Sequence, residues 1–115
     1  MNLQIKILAG NTLYSNWASS KMQFADIKNN LNLILSYLES YPIEKYIEDI
    51  SLTNANWEKA DKEWILPIWY PKVLNTNLKK YAIIVARPIK HHHKEENCEL
   101  KSFYTFDEAL NWINE

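Results

Sequence analysis

Apolar residues recur along this chain at two periods, and the period switches repeatedly between them. Leu3, Ile5 and Ile7 alternate with Gln4 and Lys6, the pattern of a strand with one buried face. Gly10-Asn11 marks a turn into a second strand, about Thr12 to Trp17, which predicts a hairpin. Phe24, Ile27, Leu31, Ile34, Leu35 and Leu38 then follow at helical intervals, and Ser20 with Gln23 has capping-box spacing. The spacing predicts an amphipathic helix from about Lys21 to Glu39. Tyr41-Pro42 ends it, because the residue before proline avoids helical geometry.

The second half repeats the alternation. Lys45 to Ile50 reads as a strand, and Glu48 and Asp49 near its end suggest a tip that faces solvent or a partner. Trp57, Ala60, Trp64, Ile65 and Ile68 recur at helical spacing with charged residues between them, so a second amphipathic helix runs through Trp57 to Leu74. Pro67 is expected to kink or break it by removing a backbone donor and crowding the Glu63 carbonyl, and Pro71 repeats the effect. Tyr81 to Ala86 is nearly all apolar, as in an inner strand covered on both faces. Arg87 to Glu99 is polar and aperiodic, which predicts a loop or a poorly formed helix. Leu100 to Tyr104 is a last strand. Thr105 and Glu108, again at capping-box spacing, open a short closing helix.

Strands that alternate with helices build an open sheet covered by helices. The expected fold class is therefore α/β: one domain over residues 1–115, with a four- or five-stranded mixed sheet and flanking helices in the order β-β-α-β-α-β-loop-β-α. The composition agrees, since 115 residues suffice for a single core, and 47% hydrophobic content with five Trp and seven Tyr marks a globular chain. Thirteen basic against 14 acidic residues leave a net charge of -1, which supplies no bulk attraction to nucleic acid or an anionic membrane. No segment approaches the roughly 20 apolar residues that cross a bilayer, and the first residues lack the apolar core of a signal peptide. Cys98 is the only cysteine, so an internal disulfide is excluded and a reducing, cytoplasmic setting is expected. With Gly10 the only glycine, the dinucleotide fingerprint and the P-loop are excluded as well.

With that element order, the chain resembles the SpoIIAA-like proteins of the STAS and SEC14-like superfamily. The resemblance is carried by Trp17 on the second strand, Phe24 in the first helix, Ile47 to Ile50 on the third strand, Trp64 and Pro71 in the second helix, Ala82 to Val85, and Phe106 to Trp112. It covers nearly the whole chain and implies the STAS-like fold. It also implies two roles. In STAS-type antagonists a serine at the start of the helix after the third strand is phosphorylated and that surface docks a protein, which points here to Asp49, Ser51, Thr53, Asn54 and Trp57. In the SEC14-like branch the helices bordering the sheet open around a lipid or other amphiphile, which points to Trp57, Trp64, Ile68 and Trp69 beside Pro67.

Each candidate has a plainer reading beside the functional one. Phosphate on Ser51 or Thr53 would sit at a helix N-terminus that favours negative charge; Thr53 or Asn54 would equally serve as the helix cap. Tryptophans at helical spacing line pockets and partner surfaces, yet in a small domain they fill the core, with Trp69 the most exposed because it lies beyond the proline. His91, His92 and His93 point in different directions, with only Glu95, Glu96 and Cys98 near them, so no metal site is expected. Neither a nucleophile with its base nor a pair of carboxylates in contrasting environments is legible, and Cys98 has no activating neighbour. The expectation is a non-enzymatic binding or regulatory module without a cofactor. It docks a protein or, alternatively, carries or senses a lipid or other amphiphile. Homodimerisation through the amphipathic helices is a third arrangement the pattern allows.

Overall fold

The hairpin forms because its turn demands a backbone that few residues accept. β1 (Leu3–Leu8) and β2 (Thr12–Trp17) pair antiparallel, from Leu3 opposite Trp17 to Leu8 opposite Thr12. Between them Gly10 and Asn11 both take positive φ, 75° and 57°, the left-handed region where glycine is unstrained and asparagine tolerated. The computed structural model describes residues 3–18, 21–86, 92–94 and 97–115, with the backbone alone at 92–94.

From β2 onward strands and helices alternate: α1 (Phe24–Ser40), β3 (Lys45–Asp49), α2 (Trp57–Ala60), a π-helical segment (Asp61–Trp69), α3 (Tyr70–Leu74), β4 (Lys80–Ile84), β5 (His92–Lys94), β6 (Glu99–Phe103) and α4 (Phe106–Ile113). Among the described residues the sheet has six strands in the order β1-β2-β3-β4-β6-β5. Strands β2, β3, β4 and β6 run parallel, and antiparallel strands close both edges. The expected mixed α/β sheet is present. It gains one strand in the segment read as a loop or poor helix, where His92 to Lys94 pairs with Lys101 to Glu99. Three residues are too few to show a period.

Alternation along the strands sends two sets of side chains to opposite faces. Leu13, Trp17, Tyr46, Tyr81 and Leu100 lie under α1, the π segment and α3, in the larger core. Ile47, Ala82 and Ile84 meet Ala109, Trp112 and Ile113 of α4 on the other face. Strand β4 is thus covered on both sides, as its apolar run predicts. The ammonium of Lys80 fastens α4 by donating to the Trp112 carbonyl at 2.8 Å, at the helix end that favours a cation. Thr105 caps the start of α4, its hydroxyl oxygen accepting from the Glu108 amide.

One helix start and one helix cap differ from expectation, while the second helix begins at Trp57 as read. α1 begins at Phe24, not Lys21, with Gln23 as its cap and Asp26 completing the box. Lys21 instead bridges to Asn54, and the Met22 amide donates to the Asn54 carbonyl at 3.2 Å; Ser20 lies outside the described residues. The cap of α2 is Asn56, whose side chain accepts from the Lys59 amide at 3.0 Å. Thr53 is occupied elsewhere: its hydroxyl donates to the Trp17 carbonyl at 2.9 Å.

Pro67 also acts otherwise than the sequence predicts. The helix neither breaks nor ends there but widens. In an α-helix the proline ring would press on the carbonyl four residues back. Here the turn opens to π geometry over Asp61–Trp69, and at its end the Tyr70 amide bonds to Ile65, five residues back. A wider turn brings residues five apart onto one side. Trp64 and Trp69 therefore both point inward, and Trp69, expected to be the most exposed, is only 1% exposed. Ile68, which α-helical spacing places inside, is 45% exposed.

Candidate functional site

Strand β3 carries Tyr46 and Glu48 two residues apart, so both project onto the face beneath the helices. The register sets Ser15 of β2 opposite Glu48 and Tyr81 of β4 opposite Tyr46. Four polar side chains thereby meet inside an otherwise apolar layer. Glu48 is 4% exposed, so the strand tip that the sequence directs to solvent or a partner is buried at this residue. The expectation failed because Glu48 continues the inward alternation of Tyr46 and precedes Ile50 on the same face.

A buried carboxylate is costly unless donors surround it. Tyr46 donates to Oε1 of Glu48 and Tyr81 to Oε2, each at 2.9 Å. Ser15 Oγ lies 2.6 Å from the Tyr46 hydroxyl, and Trp17 Nε1 donates to Ser15 Oγ at 3.2 Å. The protons thus run in one direction, from indole to serine to tyrosine to carboxylate. The Tyr46 and Tyr81 rings are tilted against each other with centroids 4.9 Å apart, which fixes both hydroxyls. Burial pushes the Glu48 carboxyl up from 4.5 to about 7; the two tyrosine hydroxyls oppose the rise and the charge of Asp61 adds to it. Burial and the neighbouring Glu48 raise both tyrosines well above their ordinary value of 10.0. A carboxyl that titrates near neutrality inside a pocket is a frequent mark of a functional site.

Such a pocket is present. A cavity of about 90 Å³ lies between the sheet and the π segment. Glu48 and Tyr81 line it from the sheet, Asp61 and Trp69 from the π segment, and half-buried Trp57 and exposed Leu66 form its outer part. Trp69 is anchored by its Nε1, which donates to the Leu31 carbonyl at 2.8 Å, so it offers the cavity a ring and not a donor. π-helical turns occur often at functional sites. Here the π turn places Trp69 and Asp61 together on the cavity wall.

Of the expected ligand-pocket residues, Trp57 and Trp69 line this cavity, whereas Trp64 packs in the core and Ile68 faces outward. The expected docking residues gather in a separate shallow groove. Asp49 lies beside it and accepts both the Ser51 amide at 3.0 Å and the Ser51 hydroxyl at 2.6 Å. Ser51, Thr53, Asn54 and Trp57 line the groove together with Leu52, which is 68% exposed. Trp57 borders both sites, with its ring 5.5 Å from that of Trp17. Sequence reading missed Glu48, Tyr46, Tyr81 and Asp61. The available signal was the Tyr-x-Glu-x-Ile alternation of β3, once the strand is recognised as an inner one.

Cys98 is buried beside Leu100 in the larger core. His91, Glu95, Glu96 and the side chains of His92 and His93 lie outside the described residues. Among the described residues no group of three His, Cys, Asp or Glu could hold a metal ion. No helix among them is long and apolar enough to cross a membrane.

No family model and no curated protein matches the chain. A solved structure does match over nearly its full length: the crystal structure of an uncharacterized protein from the DUF3478 family with a SpoIIAA-like fold, from Shewanella loihica PV-4. The likeness covers 97% of this chain and 94% of that one, with a TM-score of 0.52 and 16% sequence identity. Identity so low speaks for architecture alone, and the architecture agrees with the element order read from the sequence: this chain has a SpoIIAA-like fold.

Proposed function

We propose that the chain is a non-enzymatic, cytoplasmic binding module that takes a small amphiphile into the cavity between the sheet and the π segment. The observation that carries this reading is a buried carboxylate, held by two tyrosine hydroxyls, on the wall of an otherwise mostly apolar cavity. Pockets of that kind enclose an apolar body and orient it through a few convergent polar groups. An engineered cavity of about 150 Å³ admits benzene; the present 90 Å³ suits a smaller group. A longer tail would leave past Leu66.

Tryptophan fluorescence titrated with short-chain alcohols, amines and acids tests this reading, because Trp57 and Trp69 line the site. A saturable change is expected from at least one class. The substitution Ile83→Phe, which fills the cavity from β4, should abolish it. A flat response from every class sinks the proposal.

Protein docking through the end of β3 and the start of α2 is the second reading, and the exposed Leu52 favours it. Trp57 lines the same groove, and tryptophan is among the side chains that most often anchor a partner. The substitution Leu52→Asp should then reduce recovery of a captured partner; equal recovery would remove this reading. Phosphorylation is its weaker component, because the Ser51 hydroxyl already donates to Asp49 and the Thr53 hydroxyl to the Trp17 carbonyl of β2.

A further inference from the structure

The cavity wall is chemically one-sided. Its charged or titratable lining groups are the carboxyls of Glu48 and Asp61 and the hydroxyls of Tyr70 and Tyr81; no lysine, arginine or histidine among the described residues lines it. Four aromatic side chains, Trp57, Trp69, Tyr70 and Tyr81, contribute to the same wall. Tyr46 and Tyr81 direct their protons at Glu48, so around this carboxylate a ligand meets acceptor oxygens. An ionised carboxylate has about four acceptor positions, and the two tyrosines use two of them.

That arrangement discriminates among amphiphiles. An anionic head, carboxylate or phosphate, would face two carboxylates in a poorly solvated space, where like charges repel strongly. A neutral hydroxyl would gain one hydrogen bond. A cation gains the hydrogen bond or contact, the charge of both acids, and the negative faces of the rings, a combination that recognises quaternary and alkylated ammonium groups. Size agrees as well. If about 150 Å³ holds a six-carbon ring, then 90 Å³ holds about four heavy atoms, the size of a trimethylammonium group.

Building on the amphiphile reading above, we infer that the cavity binds a small organic cation, an alkylammonium or methylated ammonium group. Its charge lies between Glu48 and Asp61, and its alkyl groups pack against Trp57 and Trp69. Fatty acids and phosphate-bearing headgroups are excluded from this cavity by the same charges.

Calorimetric titration at about pH 8, where the Glu48 carboxyl is mostly ionised, with three probes of one shape tests this inference: choline, its uncharged carbon isostere neohexyl alcohol, and the tert-butylacetate anion. Choline should bind saturably and at least about tenfold more tightly than the alcohol, given the strength of desolvated cation–aromatic and ionic contacts, and the anion should bind weakest. Glu48→Gln should weaken choline by about tenfold or more and leave the alcohol nearly unchanged. Asp61→Asn, on the helical side, should act in the same direction and serves independently of the buried strand. Equal affinity for choline and the alcohol, or tighter binding of the anion, overturns the cation inference while the amphiphile site stands. Absence of saturable binding by all three overturns both.

Discussion

Replacing Glu48 with glutamine should remove a large pH-dependent term from the stability of this fold between acid and neutral pH. In the unfolded chain the carboxyl titrates near 4.5, and in the folded protein burial holds it at about 7. Below pH 4.5 it is protonated in both states and adds no pH dependence. Between the two values the unfolded chain has lost its proton and the folded chain has not, so each rise in pH favours unfolding. Above about pH 7 both are ionised and the loss is complete. At about 1.36 kcal/mol per pH unit the interval corresponds to about 3 kcal/mol, a large share of the roughly 5–15 kcal/mol that holds an ordinary domain folded. The groups facing Glu48 do not mask the effect: Tyr46 and Tyr81 are raised well above 10.0, and the nearby Asp61 opposes ionisation of Glu48. Glutamine imitates the neutral acid. Its oxygen accepts from one tyrosine while its amide donates to the other; if that is Tyr46, the phenol turns its own proton to Ser15 Oγ, 2.6 Å away. Urea denaturation followed by circular dichroism, repeated across this pH interval, should show the wild type losing about 3 kcal/mol relative to Glu48→Gln. Parallel profiles for the two proteins would refute the assignment of a near-neutral carboxyl to Glu48.

The same network supports further expectations. Tyr81→Phe removes one of the two hydroxyls that hold the charged form, so the Glu48 midpoint should rise above about 7; Asp61→Asn should lower it, and carboxyl carbon NMR reads both, with shifts in the opposite sense counting against the electrostatic account. Trp69→Phe loses the bond to the Leu31 carbonyl, which as a mid-helix group of α1 keeps its intrahelical donor, and the lost bond should cost about 0.5–1.5 kcal/mol in urea denaturation. Asn56→Ala should cost about 1 kcal/mol as the loss of a helix cap, whereas Asn54→Ala, whose backbone and not side chain bridges to Met22, should cost well under half of that.

What the sequence made legible was whatever obeys a single period. Leu3 and Ile5, the helical positions from Phe24 to Leu38, the apolar run around Ile83 and the Thr105 cap all follow strand or α-helical spacing and form as expected, whereas Ile7, the last of the first alternation, is 50% exposed. The site depends on two features that no single-period reading detects. One is a charged residue that keeps an inward position: composition assigns Glu48 to the surface, while alternation with Tyr46 and Ile50 assigns it to the core. The conflict resolves only when Tyr81, 33 residues away, arrives to donate a proton.

The other feature is the π turn. Pro67 reads locally as a helix breaker, because an α-helix cannot hold its ring against the preceding turn. The chain instead keeps the helix and changes its pitch, since breaking it would expose the apolar face that Trp64, Trp69, Tyr70 and Val73 bury. The change of pitch exchanges Ile68 for Trp69 on the inner side. It therefore sets an anchored aromatic ring, in place of a flexible aliphatic chain, opposite a strand that carries Tyr46 and Glu48 and continues into Ile50. α-Helical spacing would turn Ile68, not Trp69, toward the sheet. The widened helix leaves a small cavity with a carboxylate on its sheet wall and a second acid, Asp61, at the first residue of the π segment. The proline that makes the sequence hardest to read is on this account the residue that shapes the cavity.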